Sequence, residues 1–336
     1  VTPLVPADYL DIFDPLRAGA DLRARVLSVT PETGGATTIT LRPGRSWRGH
    51  RPGQYIRIGV DVDGVRRWRA YSLTQRTASA DGTLSITVRT LPGGLVSNHV
   101  REGLAVGSMV MLDQAAGDFV QPATVPDKVL FVTAGSGITP VIGMLRNHDF
   151  PDAVLVHSAP TAADMLFHDE LAALQAEGRL HLVTRFTSEE GILPAERIGD
   201  VVPDWQQREA WVCGPVGLLD DAEAHWESAG LAELLHTERF RPVVAATGEG
   251  GLVTFTRTDL VIDTAGDRPL LDSGEDAGVL MPSGCRMGIC FNCVSPLTSG
   301  SVRDLRTGEL TTAEPEDPVM VQTCVSAAAG PCSIDL

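Results

Sequence analysis

The chain has 336 residues, 43% of them hydrophobic, and a net charge of −16. That is enough length for two or three domains and enough apolar surface to pack a core in each. An excess of acid argues against nucleic acid as a partner, because such binding rests on neutralising phosphates, and no apolar run approaches the length that spans a bilayer.

The acid is unevenly placed. Residues 1–125 carry 14 basic and 11 acidic side chains, residues 126–248 carry 8 and 19, and residues 249–336 carry 5 and 13. The start, Val1-Thr2-Pro3, opens neither a basic segment nor the apolar one a secretory signal needs. Six cysteines in this length do not make a disulfide scaffold. A cytoplasmic, monomeric protein is expected. Residues 1–20, with Pro3, Pro6 and Pro15 and a short amphipathic piece at residues 9–13, read as a leader packed on the first domain.

From Leu22 the pattern is all-β. Residues 23–29, 37–42, 55–62, 68–73, 84–90 and 108–112 alternate or are β-branched, and Gly34-Gly35, Pro52-Gly53, Asp63-Gly64, Asp81-Gly82 and Pro92-Gly93-Gly94 separate them. Short strands at this spacing predict a small antiparallel β-barrel over residues 1–125, leader included. Within it, Arg69-Ala70-Tyr71-Ser72-Leu73-Thr74 puts Arg69, Tyr71 and Leu73 on one face of a strand and Ser72 on the other. Gly94-Leu95-Val96-Ser97-Asn98 then opens a helix, whose N-terminus offers free N–H groups to an anion.

Alone, these are a strand with an aromatic and a glycine turn. Together, Arg-x-Tyr-Ser followed by Gly-x-x-Ser resembles the flavin signature of the ferredoxin–NADP reductase superfamily. The resemblance implies that Arg69 faces the flavin diphosphate, Tyr71 lies against the isoalloxazine and Ser72 hydrogen-bonds near N5. Leu73, Gly94, Val96 and Ser97 complete that site. FMN members share Arg-x-Tyr-Ser, so FAD is favoured only on Gly94 and Ser97, which resemble the diphosphate element of FAD members. The other reading makes Gly93-Gly94 a plain turn. Gln114-Ala115-Ala116-Gly117-Asp118-Phe119 stands where the family often has Gly-Pro-x-Gly-x-Phe, and the Gly-Pro is missing.

At Lys128 the pattern turns to α/β, predicting a doubly wound nucleotide domain over residues 126–240. A buried-type strand at residues 129–134 runs into Gly135-Ser136-Gly137-Ile138-Thr139-Pro140 and a helix through Leu145. Glycines at such a turn let backbone approach a pyrophosphate, and proline suits a helix start. Further strands are expected at residues 153–158, 180–186, 210–212 and 236–240, with helices at 167–177 and from Cys213-Gly214-Pro215 to about Glu227. Gly-x-Gly-x-x-Pro with a later Cys-Gly-Pro resembles the nicotinamide-nucleotide signature of the same superfamily. It implies nucleotide contacts from Gly135, Gly137, Thr139, Pro140, Cys213, Gly214 and Pro215. Cys213, at the carboxyl edge of the sheet, is expected beside the nicotinamide C4, the other reading being a buried structural thiol. Thr184-Arg185 ends a strand where a ribose 2′ substituent is read, and an arginine there accommodates a phosphate. The pair resembles the Ser-Arg of NADPH-specific reductases, so NADPH is expected. Glu189 and Glu190 could instead pair with Arg185, which leaves NADH open. Glu238 and Phe240 resemble the acid and the flavin-covering aromatic at the end of plant-type reductases, although here the chain continues; Phe240 is otherwise a core aromatic at the domain exit.

Residues 241–250 read as a linker, and residues 251–336 as an α+β domain organised around Cys285, Cys290 and Cys293, with Cys324 31 positions further on. C-x4-C-x2-C with a distant fourth cysteine is plant-type [2Fe–2S] spacing. Structural zinc sites pair C-x2-C with a second such pair or with histidines, which are absent between Cys293 and Cys324. Residues 250–336 resemble a plant-type ferredoxin. The whole resembles the single-chain reductases that serve Rieske oxygenases, hydroxylases, desaturases or cytochromes P450. It implies a multidomain NADPH-dependent reductase passing electrons through FAD and a [2Fe–2S] cluster to such a partner. Two other readings are an electron-transfer subunit of a permanent flavoenzyme complex, disfavoured by the long gap to Cys324, and a redox sensor without turnover, disfavoured by the intact hydride-path motifs.

Overall fold

The structure, a computed structural model, describes residues 10–11, 13–17, 19–62, 64–77, 82–122, 124–240, 246–284, 286–288 and 291–336. The chain divides into two compact units, Val1–Val62 with Ala70–Arg239 and Asp63–Arg69 with Phe240–Leu336. No helix among the described residues is long and apolar enough to cross a membrane.

The first sheet holds β1 (Arg23–Glu32), β2 (Ala36–Pro43), β3 (Tyr55–Val62), β4 (Val65–Ser72), β5 (Leu84–Arg89) and β6 (Met109–Leu112), in the order β4-β3-β6-β1-β2-β5. The alternation seen in the sequence sets its inner face: Ala24, Val26, Ile39, Leu41, Ile56 and Ile86 are wholly buried. A bridge between Leu73 and Ile86 joins the strands at the two ends of that order and closes the barrel. Helix α1 (Leu95–Glu102) covers one end of the core with Val96 and Val100. Of the leader, Tyr9 and Ile12 lie outside the described residues. Arg45 N donates to Leu16 O at 2.9 Å and Gly19 N to Ser46 Oγ at 3.1 Å, which ties the leader's last residues to the barrel.

The second sheet is parallel: β7 (Lys128–Ala134), β8 (Asp152–Ala159), β9 (His181–Phe186), β10 (Glu209–Cys213) and β11 (Leu235–Glu238), ordered β11-β10-β7-β8-β9. Because side chains alternate along a strand, each face packs its own core. Phe131 and Leu155 meet α2 (Ile138–Asn147) and α3 (His168–Ala176), while Leu130, Val154 and Val212 meet α4 (Val216–Ser228). The expected doubly wound sheet is thus present, with α2 two residues longer than the sequence suggests. Helix α2 also lies across the end of β4. A Cβ on Gly143 would overlap the Leu73 carbonyl oxygen, Arg146 Nη1 donates to Thr74 O at 2.8 Å, and Asn147 Oδ1 accepts from Thr77 N at 2.6 Å.

The C-terminal unit builds a mixed sheet from β12 (Gly251–Phe255), β13 (Leu260–Thr264), β14 (Val294–Asp304), β15 (Leu310–Ala313), β16 (Val319–Gln322) and β17 (Ser326–Ile334), with α5 (Leu270–Asp276) packed on it. Its order is β13-β12-β17-β14-β15, and β16 pairs with β14. Within the expected linker, residues 241–245 lie outside the described residues, but Ala246 N donates to Leu305 O at 3.0 Å and Gly248 N to Gly266 O at 2.7 Å. Residues 246–250 therefore already belong to this sheet's hydrogen bonding.

Candidate functional site

The strand order of the parallel sheet reverses between β7 and β10, and in such sheets a ligand crevice opens at the carboxyl ends of the strands there. β7 leads into the turn Gly135–Gly137 and then α2. Gly135 has φ +54, which side-chain-bearing residues rarely adopt, and a Cβ on Gly137 would overlap the Cys213 carbonyl oxygen. The turn therefore rests on the end of β10. Gly214 is confined in the same way by Leu218 and Ala134. The Thr139 hydroxyl donates to Ser136 O at 2.9 Å, and Pro140 is buried in the first turn of α2. Pro215 caps α4 without a side-chain bond, and Leu218 N donates to Pro215 O at 3.1 Å, so the N–H groups of Val216 and Gly217 are the ones left at that helix's start.

The β10–β11 register sets Cys213 beside Glu238. Cys213 is fully buried, and burial first, then the Glu238 carboxylate, hold its thiol well above the ordinary range. Burial pushes the Glu238 carboxyl up to about 8, and its Oε2 has no partner among the described residues. Gly117, at φ +107, lies against the Tyr55 ring, and a Cβ there would stand 4.0 Å from Glu238 Oε1. Ser72, also buried, has an Oγ without a partner among the described residues. Next to it, Leu73 N donates to Gln54 O at 2.8 Å, which links the end of β4 to the residue before Tyr55. A buried polar atom left unpaired costs about 1–3 kcal/mol. Ser72 and Glu238 are thus placed to take polar atoms of bound groups, and the flavin and nicotinamide of the sequence reading fit them. Arg69, on the same strand as Ser72, donates from Nη1 to Trp68 O at 2.8 Å, and Tyr71 is half-buried.

At α1, Gly94 is the N-cap and no side chain caps it. The Ser97 hydroxyl is turned to its own turn, accepting from Leu91 N at 3.2 Å and donating to Gly94 O at 3.2 Å. What remains for a diphosphate is the backbone of Leu95, Val96 and Ser97, with the Ser97 side chain as the brace of that turn. Thr184 is exposed and Arg185 half-buried. The guanidinium of Arg185 is engaged within its own loop: Nη1 donates to Glu190 Oε2 at 3.2 Å, Nε to Gly191 O at 3.0 Å, and Nη2 to Glu190 O. Of the two arrangements open in the sequence, the acid-paired one is present here. Phe240 is 40% exposed, so it is not a core aromatic.

Three residues around this site were not among those the sequence singled out. Arg89 Nη1 stands 2.9 Å from where a Gly135 Cβ would be, and its nearest acid, Asp164, is 4.0 Å away, so a cation borders the phosphate-type turn. Gly117 has the Tyr55 ring and Glu238 Oε1 as neighbours of its Cβ position. Gly117-x-Phe119 does keep the second half of the family's Gly-Pro-x-Gly-x-Phe, and that remnant could have pointed to Gly117.

In the C-terminal unit, Cys285 and Cys290 lie outside the described residues. Cys293 and Cys324 are both buried, with Sγ atoms 3.2 Å apart and no disulfide. The cause is register: Val294 pairs with Gln322, and the Thr323 hydroxyl donates to Cys293 O at 2.9 Å, so the two thiols meet across β14 and β16. Their mutual hydrogen bond pulls the Cys293 thiol below its ordinary value, and the Arg306 charge adds to this. Two adjacent buried thiols, with Cys293 held below its ordinary value, suit one metal of a two-iron cluster. Gly288, with φ +74, forms the loop's tight bend.

Comparison with known proteins agrees with each part. Residues 39–120 match an oxidoreductase FAD-binding domain, residues 131–224 an oxidoreductase NAD-binding domain, and residues 253–329 a 2Fe-2S iron-sulfur cluster binding domain. The chain is 46% identical over 344 aligned residues to the NADPH oxidoreductase of Mycobacterium tuberculosis, covering 100% of this chain and 90% of the relative. It is 28% identical over 310 residues to the glycine betaine monooxygenase reductase subunit of Chromohalobacter salexigens, covering 82% and 84%. Phthalate dioxygenase reductase has the same fold, with a TM-score of 0.63 at 20% identity over 94% of this chain and 97% of that one.

Proposed function

The chain belongs to the ferredoxin–NADP reductase-like flavoproteins that carry a C-terminal plant-type [2Fe–2S] domain, and from that premise we propose that it oxidises NADPH and delivers single electrons to an oxygenase partner. FAD and the cluster are the cofactors of the family. Bound FAD accepts a hydride's two electrons together and releases them singly, as a one-electron cluster requires.

The chain's own residues organise the rest. The Gly135–Gly137 turn and the start of α2, bordered by Arg89, bind the nucleotide diphosphate through backbone N–H groups. The turn's contact with Cys213 sets the nicotinamide end over β10. Cys213, kept as a neutral thiol by burial, offers a soft uncharged surface and no nucleophile. Glu238, protonated at neutral pH, is a hydrogen-bond donor there, where an ionised carboxylate would only accept. Ser72 supplies a hydroxyl from the barrel side. Leu95–Ser97 would hold the flavin diphosphate, and Tyr71 and Leu73 its ring system. Cys285, Cys290, Cys293 and Cys324 hold the cluster.

NADPH is proposed as the donor because the M. tuberculosis relative is named an NADPH oxidoreductase and because Arg185 ends β9 where a 2′-phosphate would be read. Its bonds to Glu190 and Gly191 would have to open for that. The oxygenase partner rests on the names of relatives such as the monooxygenase reductase subunit of C. salexigens.

The observation that carries the reading is that two buried polar atoms, Ser72 Oγ and Glu238 Oε2, have no partner among the described residues. Anaerobic stopped-flow reduction of the flavin by NADPH tests it. Ser72→Ala should slow flavin reduction at least tenfold while FAD stays bound. An unchanged rate would remove Ser72 from the hydride path.

A further inference from the structure

Arg306 lies in the turn between β14 and β15 and is held on all its edges. Nε donates to Asp304 Oδ1 at 3.1 Å, and Nη2 donates to Asp304 Oδ2 at 2.7 Å and to Gln322 Oε1 at 3.1 Å. Nη1 reaches out of this fork and donates to Gly288 O at 3.1 Å. The same carbonyl accepts from Gln322 Nε2 at 3.0 Å. Gly288 is packed so closely that a Cβ would overlap the guanidinium and stand 3.0 Å from Val325. Three segments far apart in sequence therefore converge on one peptide of the cysteine loop: Gly288 between Cys285 and Cys290, Gln322 two residues before Cys324, and the β14–β15 turn.

The orientation of this group matters. The guanidinium, not the carboxylate, touches the cysteine loop; Asp304 is the main group raising the Arg306 pKa, and Cys324 and Cys293 add to it. Arg286 is paired with two acids, Asp272 and Glu275, the second of which it shares with Arg67. Among the described residues, Arg306 has Asp304 as its one acidic partner.

We propose that Arg306 sets the reduction potential of the [2Fe–2S] cluster, its guanidinium locked against the Gly288 carbonyl by Asp304 and Gln322 as a fixed positive charge beside the Cys293 and Cys324 thiolates. The inference rests on the ligand assignment given above. Reduction adds one electron to the cluster and so one negative charge. A nearby cation stabilises that product more than the oxidised form, and net charge and hydrogen bonding are among the factors that set such potentials. An arginine keeps its charge at every working pH, so the effect does not titrate away. A lysine keeps the charge but cannot make the fork to Asp304 and Gln322 together with the bond to Gly288.

The test is an EPR-monitored redox titration of the full-length holoprotein, with iron counted per chain. Arg306→Gln should lower the cluster's one-electron reduction constant about tenfold, a midpoint about 59 mV more negative. Arg306→Lys should fall between that and the wild type. Asp304→Asn, which removes the countercharge, should shift the midpoint the other way. A brace that only holds the loop would show as iron loss and leave the potential of the loaded fraction unmoved. Unmoved midpoints, or the same direction in Arg306→Gln and Asp304→Asn, overturn the proposal. If Arg306→Gln takes up no iron, Asp304→Asn decides by itself: a positive shift supports the proposal, and an unmoved or negative one overturns it. A wild type without iron would sink the ligand assignment instead, which keeps the two failures apart.

Discussion

Replacing Glu238 by glutamine should flatten a pH dependence that the wild type carries in both stability and hydride transfer. Burial moves this carboxyl from 4.5 to about 8. At about 1.4 kcal/mol per pH unit, ionising it in place costs about 5 kcal/mol more than ionising it in water. Between pH 4.5 and about 8 the native chain holds a proton that the unfolded chain has released, so this group's contribution to stability is fully present below pH 4.5 and is lost as pH rises toward 8. From pH 6 to pH 8 the loss is about 2.3 kcal/mol, or about 5–9 °C in the melting of a unit of this size. Glu238→Gln keeps the shape and an N–H donor but has no proton to lose. Scanning calorimetry at pH 6, 7 and 8 should show its melting temperature gaining steadily on the wild type. Flavin reduction by NADPH should decline above about pH 8 in the wild type and stay level in the variant. A melting difference that does not change between pH 6 and 8 would refute the reasoning, as would a wild-type titration near 4.5.

Three further outcomes are expected. Cys324→Ala should abolish the cluster's EPR signal and cytochrome c reduction while NADPH still bleaches the flavin; a retained cluster would mean that Cys324 is not a ligand. Arg185→Ala should lower kcat/KM for NADPH about 10- to 100-fold through KM, as the loss of a charge-assisted contact worth about 1.5–3 kcal/mol implies, with NADH unaffected; equal losses for both would show that Arg185 does not read the 2′-phosphate. Gly137→Ala should destroy nucleotide binding, measured by isothermal titration with NADP⁺, because the Cβ has only the Cys213 carbonyl to occupy. Normal affinity would show that the turn can move away.

What could be read in the sequence was what is local. Arg69–Leu73, Gly135–Pro140 and Cys213–Pro215 are contiguous, and a strand or a strand–helix turn displays their side chains in a fixed way. The barrel and the parallel sheet followed from alternation and from glycine placement, to within a few residues at each end. The cysteine spacing pointed to Cys293 and Cys324 acting together, and the β14–β16 register supplies the physical reason. Tyr55, Arg89 and Arg306 were not legible, because each reaches its place through packing between separate segments, and Gly117 was signalled only by the remnant Gly117-x-Phe119. Ser97 and Arg185 were singled out as residues, but the direction of their side chains depends on neighbours. The Ser97 hydroxyl finds Leu91 N and Gly94 O, and the short turn Thr187–Glu190 with Gly191 at φ +71 wraps carbonyls and Glu190 around Arg185.

The central claim is a continuous path from nicotinamide through FAD to a cluster held by four cysteines. The measurement that tests it most directly is an anaerobic titration of the purified full-length protein with NADPH, followed by flavin absorbance and by EPR, with iron and zinc determined per chain. About two irons per chain, bleaching of the flavin and growth of a reduced [2Fe–2S] signal in the same titration are the predicted result. Zinc in place of iron, or a flavin that NADPH reduces while the cluster stays oxidised, would contradict the account.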